Sequence, residues 1–320
     1  MFTLEKSDCI YVAGHKGLVG SAIYTKLNNL GFNNLLTRTS KELDLRDKNK
    51  TQKLIAENRP RLLIIAAARV GGIGANLSDP LGFISDNLEI QTNLMLAAAN
   101  TEVEKIVFLG SSCVYPRLAN QPINESSLLS GYLEETNQPY AVAKISGIEL
   151  LNAINKEYGT RHFTIMPCNL FGQNDNYSEG KSHVLPAMIR KFHDAKVKNM
   201  KTLSLWGTGS PMREFMHSDD FADALIHSVF KYQSGGLLNI GSGKEISILN
   251  LAQTIANVIG FEGEITWDSS KPDGTPRKLL DISKLNSIGW EDKSRFVERI
   301  TETYNWYLKN QVFEKSSENK

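Results

Sequence analysis

The chain has 320 residues, enough for two domains or for one large α/β unit with an appended lobe. Hydrophobic residues make up 41% and charged residues 22%, which excludes a disordered, collagenous or coiled-coil chain. Lys and Arg number 36 and Asp and Glu 35, so a net charge of +1 gives no global basic field for nucleic acid.

Three cysteines, Cys9, Cys113 and Cys168, are too few for a disulfide framework, and their odd number suits a reducing compartment. Apolar runs are short. Leu62 to Ala68 falls far below the ~20 residues of a membrane span. Residues Met1 to Lys6 carry no apolar signal-peptide core. The expectation is a soluble cytoplasmic protein with no membrane partner.

In chain order, Cys9 to Ala13 reads as a buried strand ending at glycine. A helical pattern follows through Ala22, Ile23, Leu27 and Leu30, closed by Gly31. Leu35 to Thr37 is a second strand, Thr51 to Glu57 a short helix, and Leu62 to Ala66 a third strand. Asp86 to Asn100 has helical spacing at Leu88, Ile90, Leu94 and Leu96. Ile106 to Leu109 is a fourth strand, Tyr140 to Tyr158 a helix, and Phe163 to Met166 a fifth strand. Such alternation predicts βαβ units and a parallel sheet. Because that sheet is covered on both faces, its strands show almost no polar alternation.

After Phe171 and Gly172 the texture changes. Gln173 to Lys181 is polar and loop-like. A helix is predicted from about Pro186 to Ala195, a strand at Leu203 to Trp206, and a helix over Asp219 to Tyr232. Leu237 to Ile240 is another strand and Ile248 to Ile259 an amphipathic helix. The polar end, Phe313 to Lys320, is expected to fray. No repeat, low-complexity block or linker interrupts the chain, so the second lobe is expected to interleave with the first. The predicted class is α/β: a Rossmann-type doubly wound parallel sheet with a smaller interleaved α/β substrate-binding lobe.

Gly14-His15-Lys16-Gly17-Leu18-Val19-Gly20 lies between a predicted strand and helix. That is the context of a dinucleotide fingerprint. Gly14 allows the turn, Gly17 lets a pyrophosphate approach the backbone, and Gly20 lets the helix pack on the sheet. The spacing is G-x-x-G-x-x-G rather than the commoner G-x-G-x-x-G, and by itself it could be a simple turn. An NAD site usually carries an acid about 20 residues beyond the glycines. Here Leu36 to Lys41 has no acid before Glu42. Arg38, Lys41 and Lys16 instead supply positive charge suited to a 2′-phosphate, which favours NADP; the alternative is ordinary exposed cations.

Tyr140 and Lys144 are four residues apart, on one helix face. A lysine cation beside a tyrosine would draw its pKa down from ~10 and make it a usable acid or base at a carbonyl. Y-x-x-x-K alone is as readily a surface pair. Ser111-Ser112-Cys113 follows the fourth strand, where doubly wound sheets bind ligands. The order of glycine turn, serine and Y-x-x-x-K is more specific than any part.

With these residues in place the chain resembles the extended short-chain dehydrogenase/reductase superfamily. Several strings are more narrowly similar to the GDP-L-fucose synthase family: 67–73 (AARVGGI), 110–116 (GSSCVYP), 139–147, 182–186 (SHVLP), 206–215 (WGTGSPMREF) and 271–281 (KPDGTPRKLLD). They keep their order from about Ile10 to beyond Trp306. The resemblance implies 3,5-epimerisation of GDP-4-keto-6-deoxy-D-mannose, then reduction of its C4 ketone by NADPH to GDP-L-fucose. It implies a homodimer, and neither a nucleic-acid partner nor a metal site.

What the resemblance implies for individual residues is as follows. Cys113 matches the base, His183 the acid, Tyr140 and Lys144 the reductase pair, and Ser111 the hydroxyl that polarises the carbonyl. Cofactor contacts fall on Gly14 to Gly20, Arg38, Lys41, Asp44, Leu109, Gly110, Ser111, Ser112, Lys144, Pro167, Cys168, Asn169, Leu170 and His183. Lys191, Trp206, Arg213 and Asp273 match contacts to the sugar nucleotide, and Lys278 is expected as a further phosphate contact. Lys16 and Ser40 stand where some members carry arginine, and Cys168 where threonine is familiar. A lone Cys is more often a small buried hydrophobe, which is the reading for Cys9 and Cys168. Residues 1–172, with a returning segment of about 214–242, form the expected NADP-binding domain. Residues 173–213 and 243–320 form the expected substrate lobe. The competing readings are a 4-epimerase or 4,6-dehydratase of the same fold, recycling bound NAD, and a non-catalytic NADP-binding protein.

Overall fold

The computed structural model describes residues 2–310 apart from Glu102, Lys181 and Pro272. The tail at Phe313 to Lys320 lies outside the described residues. In order, the first elements are β1 (Ile10–Ala13), α1 (Leu18–Asn29), β2 (Leu35–Leu36), α2 (Lys48–Asn58), β3 (Leu62–Ile65), α3 (Ile73–Ser78) and α4 (Pro80–Ala99). Then come β4 (Lys105–Leu109), α5 (Gln138–Tyr158), β5 (Phe163–Pro167) and β6 (Asn169–Phe171). α6 (Val184–Val197), β7 (Thr202–Trp206), β8 (Met212–His217), α7 (Ser218–Lys231) and β9 (Gly236–Ile240) follow. The chain continues through β10 (Glu245–Ser247), α8 (Ile248–Ile259), β11 (Glu264–Asp268), β12 (Arg277–Lys278), α9 (Ser283–Ser287) and α10 (Phe296–Asn310).

A six-stranded sheet in the order β2-β1-β3-β4-β5-β9 is parallel throughout. β1, β3 and β4 are buried along their whole length, which is why they appear in the sequence as unbroken apolar runs. α4 packs between α2 and α5, while α1 packs on α7. The order reverses between β1 and β3, and the crevice above such a switch point is where this architecture binds ligands. This is the expected α/β, Rossmann-like class.

Local chemistry explains one boundary that hydrophobic spacing missed. α4 begins at Pro80, six residues before the expected start at Asp86. Asp79 caps it by accepting from Gly82 N at 3.0 Å, and Pro80 sits where no helical N–H is needed. β6, β8, β10 and β12 were not anticipated. β6, β10 and β12 have only two or three residues, and β8 (MREFMH) mixes charged and apolar residues without a run or a period.

Those four strands form a second sheet, in which β8 pairs with β6, β10 and β12. β7 and β11 form a separate parallel pair. β5 leaves the main sheet at Cys168, whose N–H donates to Ile240 O at 3.0 Å, and continues as β6. A second core gathers Phe171, Ile189, Phe192, Ile255 and Ile300. The chain crosses between the cores more than once. α7 and β9 return to the first, but β8, inside the expected returning segment, lies in the second sheet. Leu280, Leu285 and Trp290 also pack in the first core, within the stretch assigned to the lobe. Among the described residues no helix is long and apolar enough to cross a membrane.

Gly147 of α5 faces the Phe108 ring of β4 and Gln91 of α4. A Cβ at Gly147 would stand 2.7 Å from two ring carbons of Phe108 and 2.8 Å from Gln91 Cδ. Phe108 is fully buried and cannot swing away. Gly147→Ala is therefore expected to lift α5 and cost about 1–3 kcal/mol, the scale of overpacking a filled core. A denaturant melt of the variant checks this.

Candidate active site

A cleft of about 1950 Å³ opens above the switch point. Its walls come from the glycine turn after β1, the ends of β3, β4 and β5, the start of α6, and β7 and β8 of the second lobe. Every residue nominated from sequence lines it except Lys41, which is exposed and outside the lining.

Gly14 has φ +88° and turns the chain out of β1. A Cβ on Gly20 would collide with the Gly14 carbonyl oxygen, so α1 can start here only on glycine. Gly17 is different: its nearest protein neighbour would be 3.6 Å away, an ordinary contact. The fold does not require glycine at 17, and the free space faces the cleft. As the N-cap of α1, Gly17 offers no side-chain acceptor, and the first turn carries no acid. The free N–H groups and helix dipole there suit an anion. His15 Nδ1 is buried without a partner.

Lys16 and Arg38 line the same end of the cleft. The nearest acid, Glu42, is turned back on Thr39, accepting from its N–H at 2.7 Å and its hydroxyl at 2.8 Å. Asp44 lines the cleft but is paired with Arg46 at 2.7 Å. The residues present therefore fit a diphosphate with an additional phosphate, as in NADP, with Lys16 and Arg38 in place of the expected trio.

At the end of β4, Leu109 and Gly110 lead into a 3-10 turn at Ser112–Val114. Ser111 Oγ accepts from Cys113 N at 3.2 Å, which holds Ser111 and Cys113 together at the strand end. Tyr140, in the first turn of α5, lies near Ser111, whose hydroxyl favours its phenolate. Lys144 lies beside Tyr140 on one face of α5, as its spacing predicts, but its hydrogen bond goes elsewhere and the expected lowering of the phenol is corrected. Lys144 Nζ donates to Leu109 O at 2.8 Å and lies 4.6 Å from the Phe108 ring centre, against 5.9 Å from that of Tyr140. Burial, reinforced by the nearby Cys113, pushes the Tyr140 phenol above its ordinary range rather than below it. Burial lowers Lys144 to about 7, with only 2% of its surface exposed.

The other cysteines differ in kind. Cys168 is buried, and burial with the neighbouring Glu214 drives its thiol well up; burial also raises Cys9. Cys113 lines the cleft and accepts from Asn137 Nδ2 at 3.2 Å.

His183 is the N-cap of α6, with its ring open to the cleft. The enclosing walls desolvate it and lower its pKa below 6.5. About two turns along α6, Lys191 lies 5.4 Å from the Trp206 ring, which is 66% exposed. An indole left open beside a cation is a platform for a planar or apolar ligand surface. Arg213 is half-buried, donates to Met212 O at 2.9 Å, and is desolvated enough to lower its pKa. Asp273 accepts from Thr208 N and Oγ1 at 2.7 and 2.8 Å. Lys278 lines the cleft beside Arg213, its partner in the β8–β12 register. Pro167, Cys168, Asn169 and Leu170 line it where β5 passes into β6.

Among the lining residues that the sequence reading did not nominate, two stand out for their polar groups. Asp175 has a buried Oδ2 without a partner, and burial raises its pKa to about 7. Asn137 could have been found by its place: an asparagine two residues before Pro139 marks a helix start.

A doubly wound parallel sheet with a glycine turn at its switch point, and a Ser-Tyr-Lys set at its strand ends, defines a dinucleotide-binding α/β protein. The family model described as the NAD dependent epimerase/dehydratase family matches residues 10–241, and the chain belongs to that family. It is 50% identical over 306 residues to GDP-L-fucose synthase 1 of Arabidopsis thaliana, covering 96% of this chain and 95% of that one. Against GDP-L-fucose synthase of Escherichia coli it is 45% identical over 311 residues, covering 94% and 97%. A GDP-L-fucose synthetase structure from Naegleria fowleri bound to NADP superposes with a TM-score of 0.91 at 31% identity, covering 97% and 96%.

Gly17→Ala should cost the fold no more than about 1 kcal/mol, the scale of a changed N-cap. It should weaken NADPH binding by tenfold or more, about one lost charge-assisted contact. Melting curves and cofactor titration check the two halves. A second expectation follows from Lys144. Its pKa in the folded chain lies below the 10.5 of a free lysine. Between those values the unfolded chain holds more protons, so this group makes stability rise with pH from about 7 to about 10. Lys144→Met is expected to melt higher than the wild-type apoprotein near neutral pH. The advantage should shrink as the pH approaches 10.

Proposed function

We propose that this chain epimerises GDP-4-keto-6-deoxy-D-mannose at C3 and C5 and then reduces its C4 ketone with NADPH, giving GDP-L-fucose. The observation that carries the reading is the gathering of Ser111, Cys113, Tyr140 and His183 around one cleft that begins at the glycine turn. Membership of the family and the resemblance to GDP-L-fucose synthases support it.

In epimerisation, Cys113 removes the proton next to the ketone as a thiolate, and the charge left behind resides on the C4 oxygen. Ser111 and Tyr140 hydrogen-bond that oxygen and stabilise the enolate. His183 returns a proton to the opposite face of the carbon. A depressed pKa suits this role, because it makes the imidazolium ready to give its proton up. The pair finishes as thiol and neutral imidazole and exchanges protons with water before the second centre reacts.

Bound NADPH supplies the hydride taken up by the ketone carbon. Tyr140 gives its phenolic proton to the oxygen. Its raised pKa keeps it protonated at neutral pH, so it enters the step as the acid. The Ser111 hydrogen bond and the nearby charge of Lys144 then stabilise the phenolate. Gly14 to Gly20, Lys16 and Arg38 hold the cofactor phosphates, with Leu109 to Ser112 and Pro167 to Leu170 along its length. Lys191, Arg213 and Lys278 receive the diphosphate of the sugar nucleotide, Trp206 packs against it, and Asp273 accepts from its hydroxyls. The larger core carries the cofactor and the smaller one the sugar nucleotide. Exposed Leu81, Leu96 and Val142 on α4 and α5 favour a homodimer through these helices. A reducing cytoplasmic setting would keep Cys113 free.

Incubation with the 4-keto sugar and NADPH, with the product identified by NMR, tests the reaction. Tyr140→Phe should lower NADPH oxidation by ~10²–10⁴-fold while the protein stays folded. Cys113→Ser should stop solvent deuterium entering C3 and C5, while slow reduction of the ketone persists. Exchange at the wild-type rate in Cys113→Ser would overturn the thiol as base.

A further inference from the structure

Asn137 is the N-cap residue of α5. Asparagine is favoured there because its side-chain oxygen accepts from an N–H of the first turn. In this chain the side chain makes no such bond. Its nitrogen reaches Cys113 Sγ at 3.2 Å, and its oxygen is buried without a partner. The helix forgoes its cap and leaves an acceptor desolvated. A residue kept only to begin a helix would do the reverse.

We propose that Asn137 is a positioning residue for Cys113, holding the sulfur at the cleft wall and favouring its thiolate. This rests on the reading of Cys113 as the base. An amide N–H bonds a charged sulfur more strongly than a neutral one, so the contact tightens as the proton leaves. The positive end of α5 acts in the same direction, since Asn137 stands at that end. Tyr140, three residues on, is carried by the same first turn. Asn137 thus couples the base to the helix that delivers the reductive acid.

Asn137→Ser separates this role from capping, because serine caps a helix well but is too short to span the gap to the sulfur. The readout is the pH dependence of Cys113 alkylation by iodoacetamide, followed by peptide mass spectrometry on the full chain. The half-maximal pH is expected to rise by about one unit, so labelling near neutral pH slows about tenfold, as for one lost hydrogen bond to a charged group. The rate of deuterium exchange at C3 and C5 should fall by a similar factor, with little change in KM and no loss of melting temperature. Asn137→Leu, of similar volume and without a donor, should show the same shift. Should it fail to fold, Asn137→Ser decides. An unchanged midpoint in Asn137→Ser overturns the proposal. So does a lower one, which would mean that the amide oxygen holds the thiol. Cys113→Ser in the same exchange assay keeps the two readings apart. Wild-type exchange there sinks the base itself, whereas its loss beside an unshifted Asn137→Ser profile sinks only the role of Asn137.

Discussion

The contact between α5 and β4 is the constraint on which the rest of the site depends. Gly147 lets the helix lie against the Phe108 ring. Gln91 Nε2 on α4 donates to Ala143 O at 2.5 Å and fixes the helix from its other side. At that distance the Lys144 side chain has nowhere to go but the interior, where the Leu109 carbonyl receives it. One turn earlier the same helix brings Tyr140 within reach of Ser111, and before that Asn137 within reach of Cys113. A single packing distance thus sets the burial of the lysine, the environment of the phenol and the partner of the thiol.

Two buried polar clusters hold the lobes in register around the cleft. The Glu214 carboxylate accepts from Gly243 N at 2.7 Å and Leu280 N at 3.0 Å, joining β8 to segments far along the chain. Asn239 on β9 is fully buried; its amide donates to Ile123 O at 2.9 Å and Asp281 O at 3.0 Å, and its oxygen accepts from Tyr115 OH at 2.6 Å. Its N–H donates to Glu125 Oε1 at 3.0 Å. Each of these groups would be costly to leave unpaired. They therefore specify how the returning segments meet the main sheet, which apolar packing alone would leave less determined.

Burial, more than neighbouring charge, sets the protonation of the groups nearest the proposed reaction. It lowers Lys144, His183 and Lys191, and it raises Tyr140 and Asp175. For these five groups burial favours the neutral form, whereas Asp44, Arg46 and Asp86 at the cofactor end are held charged by one another. A cleft of this kind meets a charged nucleotide with N–H groups and a few cations, while Tyr140 stays protonated until the reaction draws on it.

The sequence by itself determined the parallel sheet, because strands covered on both faces must be apolar throughout and Ile10–Ala13 and Leu62–Ile65 are. It also determined the glycine turn and the strand-end positions of Ser111 and Cys113, since backbone sterics and strand order are local properties. The second sheet was illegible, because β6, β10 and β12 are only two or three residues long and β8, with Arg213, Glu214 and His217, is neither an apolar run nor an alternation. So was the extent of the phosphate site: Arg38 lines the cleft and Lys41 does not, although only two residues separate them. Tertiary structure alone decided that Lys144 serves Leu109 before Tyr140, and that Asn137 faces a sulfur instead of its own helix. Both outcomes depend on how near two distant segments come to rest. A protonation state belongs to the surroundings of a side chain, and those are assembled only when the elements pack.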